Sequence, residues 1–391
     1  MMHPRTTDDP VTSAGSVARA PVLSLADRVH LEQAVALAAH GPAADPNPRV
    51  GAVIVDATGD VVGEGWHRGA GTAHAETVAL AEAGVRASGG TAYVSLEPCR
   101  HTGRTGPCTR ALIQAGIARV VFAQPDPDPR AGGGAAELGA AGVAVASPAA
   151  GDPVIARAAA LNEAWAFALR HGRPRVVWKT ATTLDGRSAA ADGSSQWITA
   201  PNTRARGHRL RAECGAILVG TGTALADNPS LTVRLADEPG GAMPDGRARP
   251  PLRVVLGRRA LPPAAALHDD SAPTLHLRHR DPARALAELQ DRGVRQVLLE
   301  GGPTLAAAFL RAGLVDRIEL HLAPALFGAG TTLGDFGIGT LADACRLTIR
   351  TVEHLDPDVV IVADVRRRPS GPDPISDTTP NSKETCTCSP A

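Results

Sequence analysis

An α/β fold built as two successive domains is what this sequence predicts, on three observations. The chain runs to 391 residues, beyond the usual single-domain size. Apolar runs of strand length alternate with stretches of helical period, the pattern of sheets covered by helices. Polar, proline-containing segments bracket that pattern at residues 1–24 and 369–391, and both are expected to be disordered tails.

The elements follow in order. Residues 27–40 (DRVHLEQAVALAAH) have helical periodicity. RVGAVIV and VVGEGWH flank DATGD, whose turn residues predict a hairpin. AHAETVALAEAG is again helical, TAYVSL is a strand, and CTRALIQAGI followed by ARVVFA repeats the helix–strand alternation. A glycine- and alanine-rich stretch, 131–151, closes a first domain of residues 25–151. Residues 152–172, with IARAAALNEAWAFALRHG, form an amphipathic linking helix. The second domain, 173–368, opens at RPRVVWKTATTLDG. It holds strand-like GAILVG, LRVVLG, QVLLEGG, RIELHLAP and DVVIVADV, with helical TRARGHRLRAE and PTLAAAFLRAG among them. There is no short-period repeat.

Composition excludes several function classes. Lys+Arg and Asp+Glu both total 40, so the net charge is zero, which argues against a general nucleic-acid binder. No apolar run reaches membrane-spanning length, and MMHPRTTDDPVTSAGSVARAP lacks the charged-then-apolar order of a signal peptide. Six scattered cysteines do not make a disulfide scaffold, so a reducing cytoplasm is the expected location. Hydrophobic residues make up 43%, enough for ordinary cores, although aromatics are only 3% and alanine and valine take their place. Cys386 and Cys388 form a bare C-x-C in the C-terminal tail, too few ligands for a metal site. Cys214 and Cys345 fit no ligand pattern and are expected to be packing residues.

Two other cysteines have company. EPCRHTGRTGPC places Cys99 and Cys108 on either side of an eight-residue polar loop, with HAE upstream. His74 and Glu76 project about 200° apart if both are helical, so only one can ligate a metal at the helix start. Two thiolates and one imidazole suit zinc, leaving a fourth position for water whose pKa the metal lowers toward ~7. Glu76 can then carry protons between that water, a ring nitrogen and a leaving amine. Cys108 opens the helix CTRALI, whose dipole favours a thiolate. The arrangement resembles the H-x-E…P-C-x-x-C signature of zinc deaminases, with eight residues between the cysteines instead of two.

PNPRVGAVIV, HAE, AYVSLEPCRHTGRTGPC and ALIQAGIARVV together resemble the deaminase half of the bifunctional deaminase/reductases of riboflavin biosynthesis. The resemblance implies a cytidine-deaminase-like three-layer domain. It implies that His74, Cys99 and Cys108 hold Zn2+ and that Glu76 shuttles protons. The substrate implied is a small-molecule pyrimidine ribose phosphate, a diaminopyrimidinone that loses one ring amino group as ammonia. His101 and Arg104 are candidates to meet its ribose or phosphate, the alternative being a solvated loop. Asn47 is placed to hydrogen-bond the pyrimidine edge, or else only forms a turn. Where the family has a D-P-N-P run, this chain has DPDP, with Asp126 retained and Asp128 in place of asparagine. That removes an amide donor and bears on substrate selection.

The second domain lacks a G-x-G-x-x-G fingerprint after a strand, and GAGTTLG near Gly328 has the wrong spacing for one. In VLLEGGPTLAAAFL a strand ends at Glu300, two glycines allow close approach, and Pro303 can start a helix facing a pyrophosphate. With WKTATTLDGRSA, SSQWIT and GTGTALADNPSLTVR, this run resembles the reductase half of the same family, so the likeness covers residues 25–366. The resemblance implies a dihydrofolate-reductase-like fold, NADPH as cofactor, and hydride delivery that opens ribosylamino to ribitylamino. By motif, Thr182, Trp197, Thr223, Asp227, Gly302, Pro303, Thr304, Leu305, Ala306, Ala307 and Ala308 line the NADPH site. Ser195, Arg211, Leu231, Arg234 and Glu300 contact substrate, and Lys179 adds a positive charge. Asp227 is the candidate proton donor or ribose anchor, its alternative an Asx turn. Trp197 stacks on cofactor or packs in the core. Gly257 falls where the family often has a small hydroxyl residue, so one cofactor contact is expected to be missing.

The expected protein is a homo-oligomeric, bifunctional enzyme that partners neither nucleic acid nor membrane. Two other readings compete with it. A nucleobase or nucleic-acid deaminase with a passenger reductase-like domain would fail to reduce any ribose phosphate with NADPH. A non-catalytic zinc- and nucleotide-binding regulator would have no use for Glu76.

Overall fold

The computed structural model describes residues 23–101, 106–235 and 250–366. Most of the N-terminal tail and all of the C-terminal tail, with Cys386 and Cys388, lie outside these residues, as does Arg104. Leu23 and Ser24, expected in the N-terminal tail, belong to the fold. Leu23 is buried, and Ser24 caps α1 (Leu25–Ala38) through a reciprocal box, its hydroxyl accepting from the Asp27 amide at 3.1 Å.

The predicted hairpin is β1 (Gly51–Val55) and β2 (Val61–Trp66). β3 (Thr91–Val94) runs antiparallel to β1, while β4 (Arg119–Phe122) and β5 (Ala144–Ala146) extend the sheet in parallel, giving the order β2-β1-β3-β4-β5. Period-two alternation sends Ala52 and Ile54 to one face of β1 and Val53 and Val55 to the other. The first face is covered by α2 (Ala75–Ala83), α3 (Cys108–Gln114) and α4 (Gly134–Ala140) through Ala79, Leu112 and Leu138. The second meets α1 and α5 (Pro153–Leu161) through Leu31, Val35, Val154 and Ala158. This is the three-layer arrangement expected. A Cβ at Gly63 or Gly65 would stand 2.1 Å from the Ala79 carbonyl oxygen or 2.4 Å from that of Ala75, so α2 lies almost directly on β2.

The single linking helix is corrected to two. α5 ends at Leu161, and α6 (Glu163–His171) starts after Asn162. Asn162 donates to the Arg49 carbonyl at 2.9 Å and accepts from the Arg49 amide at 2.7 Å, fixing the break. The cause is packing. α5 buries Val154 and Ala158 in the first core, whereas α6 lies against β6 (Arg175–Thr183) and β10 (Gln296–Leu299) of a second sheet. One straight helix cannot present its apolar stripe to both.

Among the described residues that second sheet has eight strands. Besides β6 and β10 it contains β7 (Ala216–Gly220), β8 (Leu252–Leu256), β9 (Thr274–Leu277), β11 (Arg317–Ala323), β12 (Leu347–Leu355) and β13 (Asp358–Val365). Their order is β12-β13-β11-β6-β10-β7-β8-β9, with β11, β6, β10, β7, β8 and β9 parallel and β13 and β12 antiparallel. α9 (Pro282–Asp291) and α10 (Pro303–Arg311) cover one face through Leu286, Leu289 and Phe309. α7 (Pro201–Ala212) and α8 (Thr221–Asp227) cover the other through Leu210 and Ala224.

Several of these elements are absent from the sequence expectation. β9 is only four residues long, and β12 is an exposed strand with no buried face to give it a period. α9 had a readable start, Asp281 accepting from the Ala283 and Arg284 amides ahead of Pro282. Cys214 is fully buried against Val177, Leu210 and Leu298, as expected of a packing residue, but Cys345 is exposed, which corrects the same expectation for it.

Candidate active sites

Three segments of the first domain bring donor atoms together. His74 is the N-cap of α2, Cys99 lies in the loop after β3, and Cys108 is the first residue of α3. Their ligand atoms all fall within 4.8 Å of one another, with His74 Nδ1 3.2 Å from Cys108 Sγ and 3.6 Å from Cys99 Sγ. Two sulfurs and an imidazole nitrogen converging on one point fit zinc, and these residues could hold it. The Cys108 thiol and the His74 ring both favour charge on Cys99 and pull its thiol down, while Cys99 and burial drive that of Cys108 up. One proton is thus held within the pair, where a metal ion would displace it.

The 200° separation of His74 and Glu76 does not apply as drawn, because His74 sits outside the helix with extended backbone (φ −72°, ψ 158°). Both residues consequently line one cleft of about 430 Å³. Glu76 is buried, and its carboxyl is pushed up to about 7, first by burial and then by the neighbouring Cys99 thiolate. It stands beside the three donors without belonging to them.

The loop carrying Cys99 is held by a residue that the sequence reading missed. Glu97 is buried and accepts from the amides of Asp126 (3.1 Å), Gly133 (3.2 Å) and Ala135 (2.9 Å). The Thr109 amide donates to the Cys99 carbonyl at 3.2 Å, tying the two cysteine segments. α4 presses on the same loop. A Cβ at Gly134 would lie 1.9 Å from the Pro98 carbonyl oxygen. Gly134→Ala is therefore expected to lower stability by about 1–3 kcal/mol and to weaken zinc retention. Gly139→Ala on the same helix, with nothing within 4 Å, is the control. Equal melting temperature and zinc content in the two variants would contradict this packing.

Asn47 does not form the turn with its side chain; Asp45 accepts from the Asn47 amide at 2.9 Å instead. The Asn47 side-chain nitrogen lies 3.2 Å from His67 Nε2, and His67 Nδ1 lies 3.1 Å from the Ala73 carbonyl. The carbonyl can only accept, so Nδ1 carries the proton, Nε2 accepts from Asn47, and Asn47 keeps Oδ1 for the cleft. His67, missed in the sequence, had as its only signal a histidine ending the hairpin. His101 also lines the cleft. Asp126 is pushed up to about 6 by burial. Asp128 is engaged by Arg130 at 3.1 and 2.8 Å, so the carboxylate replacing asparagine is neutralised in place.

The second site lies at the carboxyl ends of β6, β7 and β10, where parallel sheets commonly bind ligands. Glu300 follows β10 and accepts both arms of Arg211, at 2.8 and 2.6 Å; Arg211 also donates to the Thr232 carbonyl at 2.9 Å. Burial pushes Glu300 up, but Arg211 and Lys179 outweigh it and hold the carboxyl low. Burial lowers Lys179, with Glu300 opposing. Arg211 is thus already committed to Glu300, whereas Arg234 is exposed and donates to the Thr232 hydroxyl at 2.9 Å. His208 accepts from the Arg234 amide at 3.2 Å, and burial, Arg211 and Arg234 pull its ring down to about 4. The Gly302 amide donates to the Thr223 hydroxyl at 3.2 Å, joining two of the expected cofactor residues across the end of the sheet. Thr182 is buried on β6, next to the same end.

Other expected residues are placed differently. Leu231 is buried among Ile217, Val219 and Val255, so its side chain packs in the core and only its backbone could meet substrate. Ala306 and Ala307 face inward from α10, leaving Gly302, Pro303 and Thr304 at its start, with Leu305 and Ala308 half-buried. Trp197 is 67% exposed, which excludes core packing, and the Arg204 guanidinium lies 4.7 Å from its ring centre. Ser195 is exposed on the same segment. Asp227 ends α8 and makes no hydrogen bond or ion pair among the described residues. The turn is made by Asn228 (φ 40°), whose side chain accepts from the Ala266 amide at 2.8 Å. At Gly257 (φ 143°) a Cβ would meet the Thr221 hydroxyl at 2.7 Å, so Thr221 fills the space left there.

The comparisons agree with this division. Residues 25–124 match the cytidine and deoxycytidylate deaminase zinc-binding region, and residues 174–361 match the RibD C-terminal domain. The riboflavin biosynthesis protein RibD of Mycobacterium tuberculosis is 49% identical over 317 residues, 81% of this chain and 90% of the relative. The chain belongs to the RibD family. RibD of Escherichia coli is 39% identical over 367 residues, covering 86% of this chain and 98% of that protein. The solved structure of Acinetobacter baumannii RibD superposes with a TM-score of 0.78 at 35% identity, over 88% of this chain and 99% of that one. A Thermotoga maritima diaminohydroxyphosphoribosylaminopyrimidine deaminase/5-amino-6-(5-phosphoribosylamino)uracil reductase gives 0.76 at 29% identity, over 87% and 99%. As a RibD-family member the chain is a bifunctional enzyme of riboflavin biosynthesis, a deaminase using zinc and a reductase using NADPH, acting on a small molecule. Among the described residues no helix is long and apolar enough to cross a membrane.

Proposed function

We propose that the first domain hydrolytically deaminates a diaminopyrimidinone ribose phosphate and that the second reduces the deaminated product from ribosylamino to ribitylamino. The observation carrying the first step is the convergence of His74 Nδ1, Cys99 Sγ and Cys108 Sγ beside buried Glu76 on one cleft. His74, Cys99 and Cys108 would hold zinc, which supplies Lewis-acid activation of water at neutral pH. Glu76 takes one proton from the attacking water and gives it to the ring nitrogen, then carries the second, from the newly added hydroxyl, to the amine that departs as ammonia. Asn47, oriented by His67, accepts from the pyrimidine edge through Oδ1, and His101 and Arg104 bound the sugar phosphate.

In the second domain Gly302, Pro303 and Thr304 would cradle the pyrophosphate of NADPH at the start of α10, with Thr182, Thr223 and exposed Trp197 around it. NADPH supplies the hydride. Lys179, Arg211 and Glu300 orient the sugar hydroxyls, and Arg234 and Ser195 meet the phosphate side. Asp227 is our candidate proton donor or ribose anchor. Partial burial raises its carboxyl.

The chain works in the cytoplasm, away from nucleic acid, in keeping with its zero net charge. It is a homo-oligomer. The edge strand β12 leaves Ile349 and Val352 both 62% exposed, a surface that a second copy would cover.

The test follows ammonia and NADPH separately. Zinc-loaded protein given the diaminopyrimidinone ribose phosphate should release ammonia without NADPH, and should oxidise NADPH once the deaminated product forms. Ammonia without NADPH oxidation would reduce the second domain to a passenger, and neither signal would favour a regulator.

A further inference from the structure

We infer that Arg295, from the second domain, is a phosphate-binding residue of the first domain's deaminase cleft, so that this cleft is built by both halves of the chain. The inference rests on the substrate class proposed above, a pyrimidine carrying a ribose phosphate.

Arg295 immediately precedes β10, and its carbonyl accepts from the Arg175 amide at 2.9 Å, so its backbone belongs to the second sheet. Its side chain crosses to the other domain. Nε donates to the Pro46 carbonyl at 3.0 Å, next to Asn47, and the residue lines the same cleft as Glu76 and Cys99. Gly293 supports the approach, since a Cβ there would lie 3.2 Å from that of Pro46. Trp165 and Leu169 of α6 line the cleft as well, so part of its wall comes from outside the first sheet.

The charges around the cleft point to what Arg295 is for. Arg130 holds the Asp128 carboxylate through Nε and Nη2. The Asp45 carboxylate is taken up by the Asn47 and Ala70 amides. Arg295 spends Nε on Pro46, and neither terminal nitrogen has a hydrogen-bond or ion-pair partner among the described residues. Burial and the Arg130 charge act against its cation while the Asp128 and Asp45 carboxylates act for it, and an anion in the cleft would add to that support. Two unengaged donors in a planar fork, anchored beside the base-reading loop, match a phosphate monoester.

Position adds a consequence. Arg295 and Glu300 flank β10, five residues apart, so the strand spans about 16 Å between the deaminase cleft and the reductase site. The two active sites share one strand.

The decisive variant is Arg295→Gln in the full-length, zinc-loaded protein, because glutamine keeps a donor for the Pro46 carbonyl and removes the charge. The KM for the phosphorylated substrate should rise about 10- to 100-fold with kcat changed less than about threefold, the range of one charge-assisted hydrogen bond. Inhibition of ammonia release by ribose 5-phosphate should weaken by a similar factor, and Arg295→Lys should recover part of both. An unchanged KM and inhibition constant would overturn the inference. A fall in kcat and zinc content without the KM effect would also overturn it, by making Arg295 a mere buttress of the Pro46 loop. If the unmodified protein itself releases no ammonia from this substrate, the failure lies with the proposed function instead.

Discussion

Glu76→Gln is expected to lower ammonia release about 100- to 10,000-fold, while zinc stays bound and NADPH oxidation on supplied deaminated intermediate continues. The reason is position. Glu76 is buried beside the His74, Cys99 and Cys108 donor atoms but is not one of them, so an isosteric amide removes a proton carrier and spares the metal. Zinc content by atomic emission, ammonia release and NADPH absorbance, all on one preparation, check it. Zinc lost together with activity would make Glu76 a ligand, and retained ammonia release would remove it from the chemistry.

The second large effect is expected at Glu300. Glu300→Ala should cost about 3–5 kcal/mol, because it leaves Arg211 and Lys179 beside one another without their shared carboxylate. Reductase turnover should fall at least about 100-fold, and zinc binding by the other domain should persist. Glu300→Gln separates the two roles. It keeps the volume and one acceptor, so stability should largely return, whereas reductase turnover should not. Urea unfolding and NADPH oxidation read the two quantities independently. Full reductase activity in either variant would take Glu300 out of the site.

The deaminase chemistry was legible because it is recorded locally. His74 and Glu76 are two residues apart at one helix start, and Cys99 and Cys108 bracket one loop that opens another helix. Residue types and spacing there carry the metal preference before any fold is known. The same holds for the hairpin, for five of the eight strands of the second sheet, and for the glycine pair ahead of α10. What local spacing cannot carry is which face a residue shows. Leu231 and Ala306 match motifs yet point into the core, and Trp197, equally open to packing or stacking, stands exposed.

Still less visible were contacts made across the chain. Asn162 breaks the linking helix because it pairs with Arg49, 113 residues away, and Arg295 reaches Pro46 across 249. No periodicity records such pairs, since they depend on strand order and on how two sheets meet. By itself the sequence marked His74, Cys99 and Cys108 as a candidate metal set with Glu76 beside them, and gave the two-domain α/β plan, because short-range geometry follows from backbone sterics and residue chemistry. Only the tertiary structure decided that His67 orients Asn47, that Glu97 holds the cysteine loop, and that the second domain lends an arginine to the first. Those depend on packing at long sequence separation, which alone sets which side chains meet.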